Sequence, residues 1–163
     1  MTNEKLKLPR GLHTLLAVAL LAAASSAHAQ YHLSVFEKAR AHDALTHSDP
    51  VAAARAFKKP AVDKMDYADI NNLCVLQIIE RNTLEATRNC RLALKNLREQ
   101  SIRNRDKRKM QAVVLSNLSV ALFLKGEHNE VEATLERALT LDHANKEAIH
   151  NSKTFGQTRI AAN

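Results

Sequence analysis

The chain of 163 residues has 24 Lys and Arg against 17 Asp and Glu, a formal net charge of +7, and is 45% apolar but only 4% aromatic. Three Gly and three Pro are too few for the frequent tight turns of a small all-β fold. Two Cys cannot form the framework of a disulfide-rich mini-protein, and the composition is neither collagen-like nor of low complexity. The sequence therefore predicts an all-α domain.

The first 29 residues have the pattern of an export signal. Three basic residues precede the nearly uninterrupted apolar run 12–24, and mostly small residues follow at 25–29. This order is typical of a secretory signal peptide, with cleavage predicted after Ala29; an uncleaved membrane anchor is the alternative. The apolar run is shorter than the ~20 residues that a spanning helix needs. We expect residues 30–163 to form one domain in an oxidising compartment, a bacterial periplasm or, alternatively, a eukaryotic secretory route.

The first predicted hairpin, at 34–66, is short. Small and apolar residues at helical spacing flank a turn-forming run, and Pro60 cuts the second helix short. These residues are Ala41, Ala44, Ser48-Asp49-Pro50, Ala53 and Phe57.

Two longer hairpins are predicted at 67–100 and 112–145. In the later one, apolar or small residues recur at spacings of three and four on both sides of Gly126, which indicates two amphipathic helices joined by a turn. The earlier one matches it without a gap at an offset of 45 residues, so that Asn72-Leu73-Cys74 aligns with Asn117-Leu118-Ser119. The pattern positions of the later hairpin are Leu115, Leu118, Ser119, Leu122, Val131, Leu135 and Ala138.

This pattern resembles the tetratricopeptide repeat (TPR), a 34-residue helix-turn-helix unit with a fixed order of large and small residues. The chain departs from it in lacking the aromatic residues. The resemblance implies about three stacked hairpins and a capping helix at 146–158; an irregular helical bundle is the alternative. Because the offset exceeds the repeat length, 101–111 is interpreted as a basic insertion, either a lengthened second helix or a loop.

The two cysteines lie on opposite helices of the hairpin predicted at 67–100. The turn 80–83 lies midway between Cys74 and Cys90, so an antiparallel hairpin places both at the same height. In an oxidising compartment this favours a disulfide, worth about 3 kcal/mol in the chain-entropy model. Two buried thiols are the alternative, and the spacing is unlike the Cys-x-x-Cys of redox-active pairs.

No residue set predicts catalysis. The histidines do not have metal-ligand spacing, and the chain has no phosphate-binding loop and no nucleophile elbow. We therefore expect no enzymatic activity, no metal and no cofactor.

The resemblance implies a concave surface that binds a protein or peptide. Asn71 is suited to hydrogen-bond an extended backbone there, whereas no lysines accompany the recurring Asn72 and Asn117 for a C-terminal carboxylate. Burial of several groove residues against the neighbouring repeat is the alternative. The positions that match the groove-facing pattern are Asn71, Val75, Ile78, Ser116, Val120 and Phe123.

A run of basic residues is the most uneven charge feature. It predicts either a solvated surface or contact with an acidic partner or anionic lipid headgroups. Nucleic acid is not an expected partner, because the run has no interleaved aromatics for base stacking. Its members are Arg98, Arg103, Arg105, Lys107, Arg108 and Lys109.

These features together predict an exported scaffold or adaptor that binds a partner protein in the bacterial envelope without turnover. Two alternatives remain open at this point. One is an accessory subunit of a secretion, pilus or outer-membrane assembly, and the other is a small exported redox protein.

Overall fold

The computed structural model describes residues 31–58 and 61–161, so the predicted signal peptide lies outside the described residues. In these ranges the chain is all-helical and has no strand, which confirms the predicted all-α class. A short 3₁₀ helix (Val62–Lys64) precedes the third α-helix. The α-helices are α1 (His42–Thr46), α2 (Pro50–Ala56), α3 (Tyr67–Ile79), α4 (Thr83–Glu99), α5 (Asn104–Lys125), α6 (His128–Leu141) and α7 (Lys146–Ala161).

The region predicted as the first hairpin holds only the short helices α1 and α2. The side chain of Asp49 accepts a hydrogen bond from the Ala52 N–H, and Pro50 occupies the first helical position, where its missing N–H costs nothing. Residues 31–36, part of which the sequence pattern assigned to this hairpin, are not helical.

Helices α3 and α4 form an antiparallel hairpin. The Asp66 side chain caps α3 by accepting from the N–H groups of Ala68 and Asp69. Near the turn, Asn89 Nδ2 donates to Gln77 Oε1 at 2.9 Å. Cys74 and Cys90 form a disulfide, with their Cα atoms 5.4 Å apart, so the predicted pairing of the cysteines is confirmed.

Helices α5 and α6 form a second antiparallel hairpin. Gly126 ends α5 at φ 87°, a left-handed conformation that glycine adopts without steric cost. The rings of Phe123 and His128 meet beside this turn, at 5.3 Å, and Arg108 Nη2 donates to the Thr140 carbonyl at the far end. Because α4 ends at Glu99 and α5 begins at Asn104, most of the predicted basic insertion lies in the first turns of α5. It is neither a lengthened second helix nor, beyond residue 103, a loop.

The helices stack in two layers. Helices α3, α5 and α7 lie side by side, while α4 packs against α3 and α5, and α6 packs against α5 and α7. The apolar core lies between these layers and includes the fully buried Leu122 and Ile78. The Phe155 ring of α7 stacks on Phe123 at 4.2 Å. The capping helix predicted at 146–158 corresponds to α7.

Candidate functional site

Residues 31–36 cross the layer of α3, α5 and α7 as an extended segment. His32, Ser34 and Phe36 each direct both their N–H and their C=O towards the helices. Backbone groups of alternate residues point to the same side when the chain is extended. The segment therefore lies like a strand whose pairing partners are helix side chains, since no neighbouring strand exists in the described part of the chain.

Three asparagines, one on each of these helices, hold the extended segment. We call Asn72, Asn117 and Asn151 the asparagine ladder. Each side-chain Oδ1 accepts the N–H of one segment residue, and each Nδ2 donates to the C=O of that same residue.

The pairs follow the layer in order. Asn151 of α7 pairs with His32 at 2.7 and 2.9 Å. Asn117 of α5 pairs with Ser34 at 3.0 and 2.8 Å. Asn72 of α3 completes the series with Phe36, at 2.8 and 3.1 Å. The segment thus runs from the last helix towards the first, and a ladder asparagine binds every second residue.

Neighbouring polar groups fix the orientation of the ladder amides. The second hydrogen of Asn117 Nδ2 is donated to Asn71 Oδ1 at 2.9 Å, and that of Asn151 to Ser116 Oγ at 3.1 Å. In α3, Asn72 donates to the carbonyl of Arg40. Because each Nδ2 is engaged on both hydrogens, each Oδ1 must face the segment N–H. The ladder asparagines, Asn71 and Ser116 are all fully buried.

Side chains of the segment add apolar and aromatic contacts. Leu33 and Val35 are partly buried against the core. The His32 ring stacks on His150 with centroids 3.6 Å apart, and the Phe36 ring meets Tyr67 edge-on at 5.7 Å. The ring contacts of His32 and Phe36 fix the two ends of the segment, in addition to the hydrogen bonds of its backbone.

An ion pair closes the segment at its helix-joining end. Arg40 Nε donates to Asp69 Oδ2 at 2.8 Å, and the Arg40 N–H donates to the other carboxylate oxygen. Nearby, burial, with a smaller contribution from the Asp66 carboxylate, raises the pKa of the Tyr67 hydroxyl above its ordinary value of 10.0. That hydroxyl donates to Met110 Sδ at 3.3 Å. Tyr67 is therefore present as the neutral phenol, which is the form that can donate this hydrogen bond.

The residues predicted to line the groove fall into three sets. Asn71 Nδ2 donates to the Ser34 carbonyl at 3.2 Å, and Ser116 orients Asn151, so both belong to the ladder network. Val75, Ile78 and Val120 are buried in the core. Phe123 is half-buried and stacks on Phe155, so it joins α5 to α7.

Sequence reasoning missed the ladder itself. Asn72 and Asn117 recur at the same place in the two predicted hairpins, but Asn151 was not connected to them. It follows Asn117 by 34 residues, the length of one repeat unit, which is the signal that marks it.

The predicted basic run is divided in the structure. Lys107 donates to the Arg98 carbonyl, Arg103 pairs with Asp106 at 3.0 Å, and Arg108 reaches α6. Arg105 and Lys109, one turn apart on α5, are exposed.

Arg98 instead lines a surface cleft of about 490 Å³ between α4 and α6. Arg91, Lys95 and Arg137 share this cleft, and Glu130 pairs with Arg91 at 2.9 Å. The cleft carries more positive than negative side chains, whereas the basic run as a whole does not converge on one site.

Within residues 31–58 and 61–161, no group of three or more His, Cys, Asp or Glu is arranged to hold a metal ion. In the same ranges, no helix combines the length and apolarity needed to cross a membrane.

No protein family model matches the chain, and comparisons with curated proteins and with solved structures gave no match. The functional argument therefore rests on the geometry of the ladder.

Proposed function

We propose that the chain is an exported, non-catalytic adaptor of TPR-like architecture that binds an extended stretch of a partner protein on the asparagine ladder. The observation that carries this proposal is the pairing of three buried amides with the backbone of alternate residues. Backbone recognition gives affinity for an extended peptide, while flanking apolar contacts give selectivity.

The repeat architecture is supported by the equivalence of the helices. Asn72 and Asn117 occupy matching positions at the 45-residue offset, and Asn151 follows one repeat length later. Side chains at matching positions of stacked units form a row on one surface. The ladder is such a row, on the layer formed by α3, α5 and α7.

Export to the periplasm is part of the proposal. The predicted signal at residues 1–29 and the bonded Cys74–Cys90 pair support it. Both cysteines are fully buried, which favours a structural staple over a redox-active pair, because reactive cysteines are accessible. Intact mass spectrometry of the protein from its native envelope tests this directly: we expect a chain that begins at Gln30 and resists alkylation until it is reduced.

Backbone recognition is tested with a library of ten-residue peptides selected against the full chain. N-methylation of a selected peptide should destroy binding at every second position and leave it intact between them, because a methylated nitrogen cannot donate to a ladder Oδ1. Asn117→Ala should abolish binding.

Asn129→Ala is the matched control, because Asn129 is exposed on α6, and it should bind like the unaltered chain. A peptide that is indifferent to N-methylation at every position would contradict the proposal.

A further inference from the structure

We infer that residues 31–36 are an internal ligand of the asparagine ladder, and that a partner segment of the same chemistry binds by displacing them. This inference rests on the proposed function and names both the class of ligand and the control of its access. The occupant to which we commit is an extended apolar segment of a partner protein.

The contacts between segment and ladder do not depend on the sequence of the segment. Every bond from Asn72, Asn117 and Asn151 to residues 32, 34 and 36 goes to a backbone N–H or C=O. Another extended chain therefore presents the same donors and acceptors in the same order.

Replacement of the segment by another extended chain is favoured over loss of the segment alone. Its three amides are fully buried, and a buried polar group without a hydrogen-bond partner is costly. When the segment leaves, six hydrogen bonds between the ladder and the backbone are lost at once and have to be replaced by bonds to water. A second backbone restores all of them, which makes replacement by a like segment the favoured path.

The segment is held less completely than the helices beneath it. None of residues 31–36 is fully buried, and the His32 side chain is exposed. Regions with few buried contacts open at lower free energy than the core. At the same time the short connection 37–41 keeps the segment close to the ladder, and such tethers give effective concentrations of about millimolar. Only a ligand that binds the ladder tightly therefore displaces the segment.

The bound segment defines what the ligand must carry. Positions equivalent to 32, 34 and 36 need a free N–H, so proline is excluded there. Positions equivalent to Leu33 and Val35 take apolar side chains, which pack on the core. An aromatic residue at the position of Phe36 meets Tyr67.

The test uses the full chain and a fluorescent peptide of residues 30–40, labelled at its C-terminus, with binding followed by fluorescence anisotropy. Ser34→Pro in the chain removes the N–H that donates to Asn117 and leaves the ladder unchanged. Glu37→Pro is the matched control, because Glu37 is exposed and its N–H makes no hydrogen bond within the described residues. It is the second residue of the turn closed by the Ala39 N–H and the Phe36 carbonyl, a position that favours proline. We expect Ser34→Pro to bind the peptide at least about tenfold more tightly than the unaltered chain or Glu37→Pro.

Each outcome separates the two proposals. If the unaltered chain and Ser34→Pro bind the peptide equally well, ladder recognition stands and displacement is wrong. If neither binds it, the inference is overturned; ladder recognition fails as well only if the peptides selected from the library are also indifferent to N-methylation. Adding Asn117→Ala to Ser34→Pro must abolish the gain, or the peptide binds elsewhere.

Amide hydrogen exchange of the unaltered chain provides a test that needs no variant. We expect the amides of His32, Ser34 and Phe36 to exchange at least about a hundredfold faster than those at the centre of α5. Equal rates in the segment and α5 would show a permanent structural element and overturn the inference.

Discussion

The two long hairpins, α3–α4 and α5–α6, have different residues at the central contact between their helices. In the α3–α4 hairpin the central contact between helices is the bonded pair Cys74–Cys90. At the 45-residue offset, the α5–α6 hairpin has Ser119 and Leu135 in these places, and both are buried. Ser119 Oγ donates to the Ser116 carbonyl of its own helix at 2.6 Å, so its hydroxyl needs no partner across the hairpin.

At equivalent positions one hairpin has a disulfide and the other has the buried Ser119 and Leu135, so the two hairpins differ in chemistry there. The stability of the α3–α4 hairpin therefore depends on the redox state of its surroundings, whereas that of the α5–α6 hairpin does not. Both hairpins supply an asparagine to the same ladder.

The largest effect should come from removing the covalent contact. Cys74→Ala with Cys90→Ala, or reduction of the unaltered chain, should lower the free energy of unfolding by about 3 kcal/mol and the Tm by roughly 10 °C. Thermal melts followed by circular dichroism, with and without dithiothreitol, measure this. The reductant should leave the double variant unchanged; a melt that is insensitive to reduction in the unaltered chain would remove the distinction between the hairpins.

The next largest effect tests whether the hairpins contribute equally to the ladder. Asn72→Ala and Asn117→Ala should each cost about 2 kcal/mol, because each removes two hydrogen bonds to the segment and strands a buried polar partner. Urea unfolding measures both, and the exposed Asn129→Ala should change stability by less than about 0.5 kcal/mol. If only Asn72→Ala lowers the free energy of unfolding, the disulfide-bonded α3–α4 hairpin alone holds the segment.

A smaller effect is expected from making the hairpins alike. Ser119→Cys with Leu135→Cys should form a second disulfide, because these positions match Cys74 and Cys90. The gain from loop closure is offset by the lost leucine packing, so the net change should stay within about 1 kcal/mol. Intact mass before and after reduction reports the bond; two free thiols would show that the hairpins differ in geometry as well as in chemistry.

The smallest effect concerns Tyr67, which begins α3 and whose hydroxyl reaches Met110 of α5, so that it reports on the contact between the two hairpins. Its raised pKa means that the folded chain favours the neutral phenol. The corresponding stability is present below pH 10 and is lost as the pH rises through the folded pKa. Absorbance at about 295 nm should show an ionisation with a midpoint above pH 10 that is lost in Tyr67→Phe. An ionisation of Tyr67 at or below pH 10 would contradict the burial of this hydroxyl.

Much of the helical frame was predictable because its determinants are local. Spacings of three and four located both long hairpins, and the position of Cys74 and Cys90 about the turn predicted their pairing. The α5 boundary was misassigned because the first turns of that helix are basic and carry no apolar stripe. Charged residues alone do not distinguish a solvated helix from a loop.

The extended segment was not predicted, although Leu33, Ser34 and Val35 alternate in the manner of a strand. Alternation predicts a strand only where a second strand can pair with it. Here the partners are asparagines up to 119 positions away, and periodicity contains no information about such contacts. The recurrence of Asn72 and Asn117 was visible in the sequence, whereas the place of Asn151 beside them and the segment that the three asparagines bind become visible only in three dimensions.

The pairing of His32 with Asn151 also sets an order of events during synthesis. Because these residues are separated by 119 positions and chains emerge from the amino end, the segment is made first but can complete its docking only after α7 exists. His32 therefore stays unpaired until α7 is made, whereas Phe36 can pair with Asn72 as soon as α3 has formed.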